Sequence, residues 1–141
     1  MKKIKQITTV LIIALITLSS VKVNAQTNKQ KVLNAAMDIL VNTAKPFYQK
    51  GMSEDQFVKA TLGNVKLDKN TGKLMGQIYS YVSKNNKSKY DTKALTDVAR
   101  SVKSGKSLET MIKHPSAKWN WKKFFKILKE VVEIVIIIIA H

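Results

Sequence analysis

Along the chain, apolar residues recur at intervals of three and four, and polar, lysine-rich stretches separate the periodic segments. From Lys31 to Gln49 the positions Leu33, Met37, Leu40, Ala44 and Phe47 make one stripe, widened by Val32, Ala36 and Ile39, which predicts an amphipathic helix. Pro46 has no N–H to donate, so this helix should end or kink near Lys45 unless Phe47 and Tyr48 belong to a fresh turn. Gly51 then breaks the chain. Ser53 followed by Gln56 is a capping box that opens a short helix through Leu62, closed by Gly63. Residues 64–73 contain Asn70-Thr71-Gly72 and read as a turn. A third helix is expected over Lys73–Lys84, with Leu74, Met75, Ile78 and Val82 inward, followed by a polar connector at Asn85–Ser88. A fourth starts at Asp91 or Thr92, carries Leu95, Val98, Ala99 and Val102 inward and ends at Gly105. Ser107 caps a fifth, short piece through Lys113, which Pro115 stops. Strand signals are scarce before the final apolar run. The expected class is therefore all-α: a small bundle of about five helices plus a C-terminal helix that is amphipathic, then hydrophobic.

The two ends differ from the middle. Lys2, Lys3 and Lys5 precede an apolar run from Val10 to Leu18 and then Val23-Asn24-Ala25, the order of a secretory signal peptide, and cleavage is expected before Gln26. That run is shorter than the roughly 20 residues of a membrane span. The expected organisation is a signal peptide over 1–25, a helical bundle domain over 26–115 and a C-terminal helix over 116–141, in a secreted or periplasmic protein.

At the C-terminus a helix would place Trp121, Phe124, Phe125, Leu128, Val131, Val132 and Val135 on one face. Lys122, Lys123, Lys126, Lys129, Glu130 and Glu133 fall on the other. A basic amphipathic helix with a tryptophan-rich start has the composition of interfacial membrane binders. Over Lys118–Ile127 the segment resembles the cationic start of cecropin-type antimicrobial helices, which carry a tryptophan among lysines, then phenylalanine and more lysine. The resemblance implies helix formation on anionic membranes, with Trp119, Trp121, Phe124 and Phe125 inserting and Lys118, Lys122, Lys123 and Lys126 meeting headgroups; Leu128 continues the apolar face. The chain departs from that family in Glu130 and Glu133, in lacking a glycine or proline hinge after the basic part, and in its long upstream domain. A lone span is disfavoured, because Lys126, Lys129, Glu130 and Glu133 would sit near its middle at a cost of about 10–14 kcal/mol. The aliphatic residues from Ile134 to Ile139 cover every side of a helix and must be hidden in the bundle core, in lipid or in a partner, including another copy of the chain.

Charge narrows the partners. The formal net charge is +16, with 25 basic residues against 9 acidic ones. Residues 1–25 hold four of the lysines and no acid, so the remainder keeps a charge of +12. That density favours anionic membrane lipids or surface polyanions. Arg100 is the one arginine, and sequence-specific nucleic-acid recognition, which relies on arginine forks, is not expected.

Catalytic and metal chemistry has little support. There is no cysteine, hence no disulfide framework or thiolate metal site. His114 and His141 have no second ligand at helical spacing. The run Asp68-Lys69-Asn70-Thr71-Gly72 resembles half of a calcium loop, but Tyr79 stands where the bidentate glutamate belongs. Neither an enzyme nor a cofactor is expected. Tyr79, Tyr81 and Tyr90 stand among lysines, a mixture that can stack bases or sugars, although tyrosines at this density are more often partly buried. The leading expectation is a secreted cationic protein that binds and permeabilises anionic membranes, as a bacteriocin-like or host-directed effector. The alternative is a small periplasmic or extracellular helical binding module whose C-terminal helix packs into its own core and whose lysines solvate it or bind anionic glycans. The exposure of the C-terminal helix separates the two.

Overall fold

The computed structural model describes residues 25–84, 90–113 and 123–140. Among them the chain is mostly helical, with six α-helices and one short strand pair, the all-α class that the periodicity predicts. Residues 1–24, the connector at 85–89, His114, Pro115 and the segment through Lys122 lie outside the described residues, as does His141.

Helix α1 covers Ala25–Ala44, and Lys45–Phe47 follows as a 3-10 turn with Pro46 near its start. The missing N–H ends the α-ladder where the sequence places the break, and the tighter turn accommodates the fixed proline φ. Helix α2, Glu54–Leu62, opens on the expected capping box. The Ser53 hydroxyl accepts from the Gln56 N–H at 3.2 Å, and the Gln56 side chain accepts from the Ser53 N–H at 2.9 Å. Glu54 and Asp55 complement the positive end of the helix dipole. Gly63, at φ 88°, ends it in a conformation that a β-carbon resists.

The next segment differs from expectation. Instead of a turn over 64–73, a two-residue strand β1 (Lys66–Leu67) leads directly into helix α3, Lys69–Lys84. Asp68 is the reason: its carboxylate accepts from the Thr71 N–H at 2.9 Å and its carbonyl from the Gly72 N–H at 2.8 Å. Asn70-Thr71-Gly72, a turn signal in isolation, thereby becomes the first helical turn of a capped helix.

Helix α4 spans Lys93–Lys103, with the Asp91 carboxylate accepting from the Lys93 N–H at 3.0 Å. Ser107 caps the short α5, Leu108–Met111, through the Thr110 N–H. Ile112–Lys113 then form β2, antiparallel to β1, with Lys66 opposite Lys113 and Leu67 opposite Ile112. The buried Thr71 hydroxyl donates to the Asp68 carboxylate at 2.6 Å and lies 3.1 Å from the Met111 carbonyl, tying the start of α3 to the end of α5.

Helix α6, Lys123–Ile139, completes the fold. The four longer helices pack in a ring in which α3 touches α1 and α4, and α6 touches α4 and α1; α2 lies against α3 and α6. One core runs through the molecule, with Met37 and Leu40 of α1, Phe57 of α2, Leu74 and Ile78 of α3, Leu95 and Val98 of α4, and Phe124 and Leu128 of α6 fully enclosed. A satellite cluster of Val32, Ile134 and Ile138 joins α1 to the far end of α6.

Candidate functional site

The C-terminal helix carries the residues that the sequence singles out, and its place in the bundle decides what they can do. Nine of its side chains are buried: Phe124, Phe125, Ile127, Leu128, Val131, Val132, Ile134, Val135 and Ile138. Phe124 and Leu128 have no exposed surface and Phe125 keeps 3%. These three, expected on the membrane-facing side, face the core. Burial of nine such residues is worth roughly 14–27 kcal/mol gross, an upper bound set by an extended unfolded chain. That is comparable to or larger than the net stability of about 5–15 kcal/mol of a whole domain, so in water α6 is an integral part of the bundle core.

Lys123 and Lys126 are exposed on the outer face, as the amphipathic pattern predicts. Lys118, Trp119, Trp121 and Lys122 lie outside the described residues. Of the aliphatic run, Ile134, Val135 and Ile138 are buried, Ile136 and Ile139 pack partly against the core, and Ile137 is 49% exposed. No helix among the described residues is long and apolar enough to cross a membrane.

Lys129 is not free for headgroups, because its ammonium donates to Glu109 of α5 at 2.9 Å. This hydrogen bond, with the coulombic attraction of the pair, raises the Lys129 pKa above its ordinary value and holds the Glu109 carboxyl below its own.

The tyrosines among lysines are engaged within the protein. Tyr48, Phe57 and Tyr79 form a cluster of edge-to-face and tilted rings with centroids 5.6–6.4 Å apart, and the Tyr79 hydroxyl donates to the Met52 carbonyl at 2.6 Å. Tyr81 and Tyr90 meet at 4.9 Å in a T-shaped pair. The Tyr90 hydroxyl donates to Asp38 of α1 at 2.8 Å, and burial, then this bond and the Asp38 charge, push its pKa up to about 12. The Tyr81 hydroxyl accepts from the Asp91 N–H at 2.7 Å. These rings and hydroxyls thus tie helices to one another and to the segments that connect them.

No family model, curated protein or solved structure matches this chain. The chemistry must be read from its own surface. Among the described residues no group of three or more histidine, cysteine or acidic side chains is placed to hold a metal ion. A groove of about 380 Å³ between α3 and α4 is lined by Lys73, Lys93, Asp91, Asp97, Ser80 and Gln77, a mixture of both charges with no dominant sign. The buried Gln77 side-chain oxygen lacks a hydrogen-bond partner among the described residues.

The larger feature is an end of the bundle that sequence reading overlooked. The β1–β2 pair, the start of α3 and the end of α4 converge there, joined by a bond from the Asn70 amide to the Ser101 hydroxyl at 3.0 Å and from the Asp68 N–H to the Met111 carbonyl at 2.9 Å. Lys66, Lys69, Lys103, Lys106 and Lys113 all stand exposed on these segments. The sequence signal was the lysine at each position, but five residues spread from 66 to 113 show no cluster until the chain folds.

Proposed function

We propose that this chain is a small exported helical binding module that closes its core with its own C-terminal helix and meets polyanions outside the cytoplasm through a lysine-rich surface. The observation that carries this reading is the burial of Phe124, Phe125 and Leu128 in the bundle. With the apolar half of the amphipathic segment enclosed, what the protein presents is charge. Lysines favour this use, since each is a compact point charge that attracts phosphate, sulfate or carboxylate without demanding a fixed geometry. The signal-like segment at 1–25 supports export, and outside the cytoplasm surface polymers and anionic headgroups supply such partners.

The test uses the chain from Gln26 to His141 and compares its retention on immobilised polyanions with its effect on dye-loaded anionic and neutral vesicles. The expected result is salt-sensitive binding to polyanions with no dye release, because raised ionic strength screens exposed charges. Release of dye from anionic vesicles by the folded protein would overturn the reading in favour of a permeabilising effector.

A second reading is supported by the exposure of Lys123 and Lys126 on the outer face of α6, directly after the Lys118–Lys122 segment. In it the folded module docks flat on anionic lipid through these lysines and Trp119 and Trp121, without inserting its core. Sedimentation with anionic vesicles that is lost on changing both tryptophans to alanine distinguishes this reading from polymer binding.

A further inference from the structure

Most of the lysines at the β1–β2 end are placed where local electrostatics does not favour them. Lys66 and Lys113 are direct partners across the antiparallel pair, and like charges opposite one another weaken a ladder. Lys69 is the first residue of α3, a sixteen-residue helix with no acid in its first turn, and a cation there opposes the helix dipole. Lys106 follows Gly105 in the exposed loop, its N–H bonded to the Ser101 carbonyl. Lys103 alone has a local reason, sitting in the last turn of α4 where cations are favoured. None of the five has an ion-pair partner among the described residues, and the nearby carboxylates are committed, Asp68 to Thr71 and Glu109 to Lys129. Residues that break local electrostatic preference without a folding return are expected at functional or strained positions.

We infer that Lys66, Lys69, Lys103, Lys106 and Lys113 form the docking site for a linear phosphate polymer without rings, such as a polyol phosphate or inorganic polyphosphate. This rests on the proposed polyanion-binding function and locates it. Among the described residues, the segments that carry these lysines, 64–73 and 101–113, hold no aromatic side chain. The tyrosines that would stack bases or sugars are engaged in ring contacts elsewhere, Tyr81 and Tyr90 towards the opposite end of α3, so a ring-bearing nucleic acid or glycan gains nothing here beyond its charge. Lysine ammoniums on flexible stems suit a chain whose phosphates move relative to one another, whereas paired recognition of a fixed phosphate calls for arginine.

The experiment titrates the chain from Gln26 to His141 with inorganic polyphosphate and with a poly(glycerol phosphate) over a range of salt, beside single-stranded DNA, heparin and phosphatidylglycerol vesicles. The variant carries Lys66→Gln, Lys69→Gln and Lys113→Gln, and the control carries Lys31→Gln, Lys84→Gln and Lys93→Gln, exposed lysines away from this end. Neutralising three docking charges should weaken phosphate-polymer binding at least tenfold at low salt and make the slope of log K against log salt shallower by about 2, at roughly 0.7 per charge. The control should keep most of the binding. The variant should also melt no lower than the parent, since relieving like-charge contact removes an unfavourable term; this separates lost binding from lost folding. Of the two polymers, the one bound more tightly at equal charge identifies the source. If the parent binds no polyanion, the proposed function fails. If the parent binds and the variant binds equally well, or the control loses as much, that function stands and this site is wrong. Tighter binding of DNA or heparin at the same lysines would overturn the assignment to a ringless phosphate polymer.

Discussion

Replacing Phe124 by alanine puts the enclosed C-terminal helix to the test most directly. Phe124 has no exposed surface and sits in the main core with Phe57 and Leu128. Truncating a fully buried phenylalanine removes its transfer free energy and leaves a cavity, which costs about 3–5 kcal/mol. On a domain of this size, where 1 kcal/mol shifts the melting temperature by roughly 4 °C, the variant should melt about 12–20 °C lower. Lys126→Ala, on the exposed face two residues later, should change stability by less than about 0.5 kcal/mol. Urea denaturation followed by circular dichroism at 222 nm measures both, and the midpoint should fall for Phe124→Ala without a change in slope. A loss below about 1 kcal/mol would refute the argument, because it would mean that α6 contributes its phenylalanine to no packed core and is free to act elsewhere.

Three further outcomes follow from local chemistry. Gly72→Ala should stabilise the protein by about 0.5–1 kcal/mol, since Gly72 lies in α3 and a β-carbon there meets nothing within 4 Å; a lowered melting temperature would contradict the helical assignment of that turn. Ser53→Ala should cost about 1 kcal/mol by leaving the Gln56 N–H without its cap, read from the same denaturation curves. The Glu109–Lys129 pair should contribute at most about 1 kcal/mol, as exposed pairs do. Because the folded Glu109 pKa lies below its ordinary 4.5, that contribution is present above pH 4.5 and is lost as pH falls through the folded value. The folded Lys129 pKa lies above its ordinary 10.5, so the contribution is present below pH 10.5 and is lost as pH rises through the folded value. The stability difference between the parent and Glu109→Gln should therefore be flat between these limits and shrink outside them; a difference that grows below pH 4 would be the wrong sign.

Local signals carried much of the fold because helix formation is largely a local matter. Pro46 ends α1, Ser53 with Gln56 opens α2, Gly63 and Gly105 follow their helices in positive-φ conformations, and Ser107 caps α5, each through groups within four residues of one another. The period of apolar residues likewise marked the inward faces of α3 and α4. The miss at 64–73 had the opposite origin. Asn70-Thr71-Gly72 is compatible with a turn or a helix start, and its contacts with Asp68, Met111 and Ser101, the last two some 30–40 residues away, go with the helical outcome.

The C-terminal helix shows where the sequence by itself stops. Its periodicity determined that Phe124, Phe125 and Leu128 share a face opposite Lys123 and Lys126, and the burden of aliphatic residues after it determined that something must cover them. Lipid, a partner and the protein's own core satisfy an apolar face equally well, because the hydrophobic effect counts area removed from water and does not specify what removes it. Only the tertiary structure decided the matter, by bringing α1, α2 and α4 against that face. The same holds for the basic end: the lysines were visible one by one, but Lys66 and Lys113 became neighbours only when β1 paired with β2.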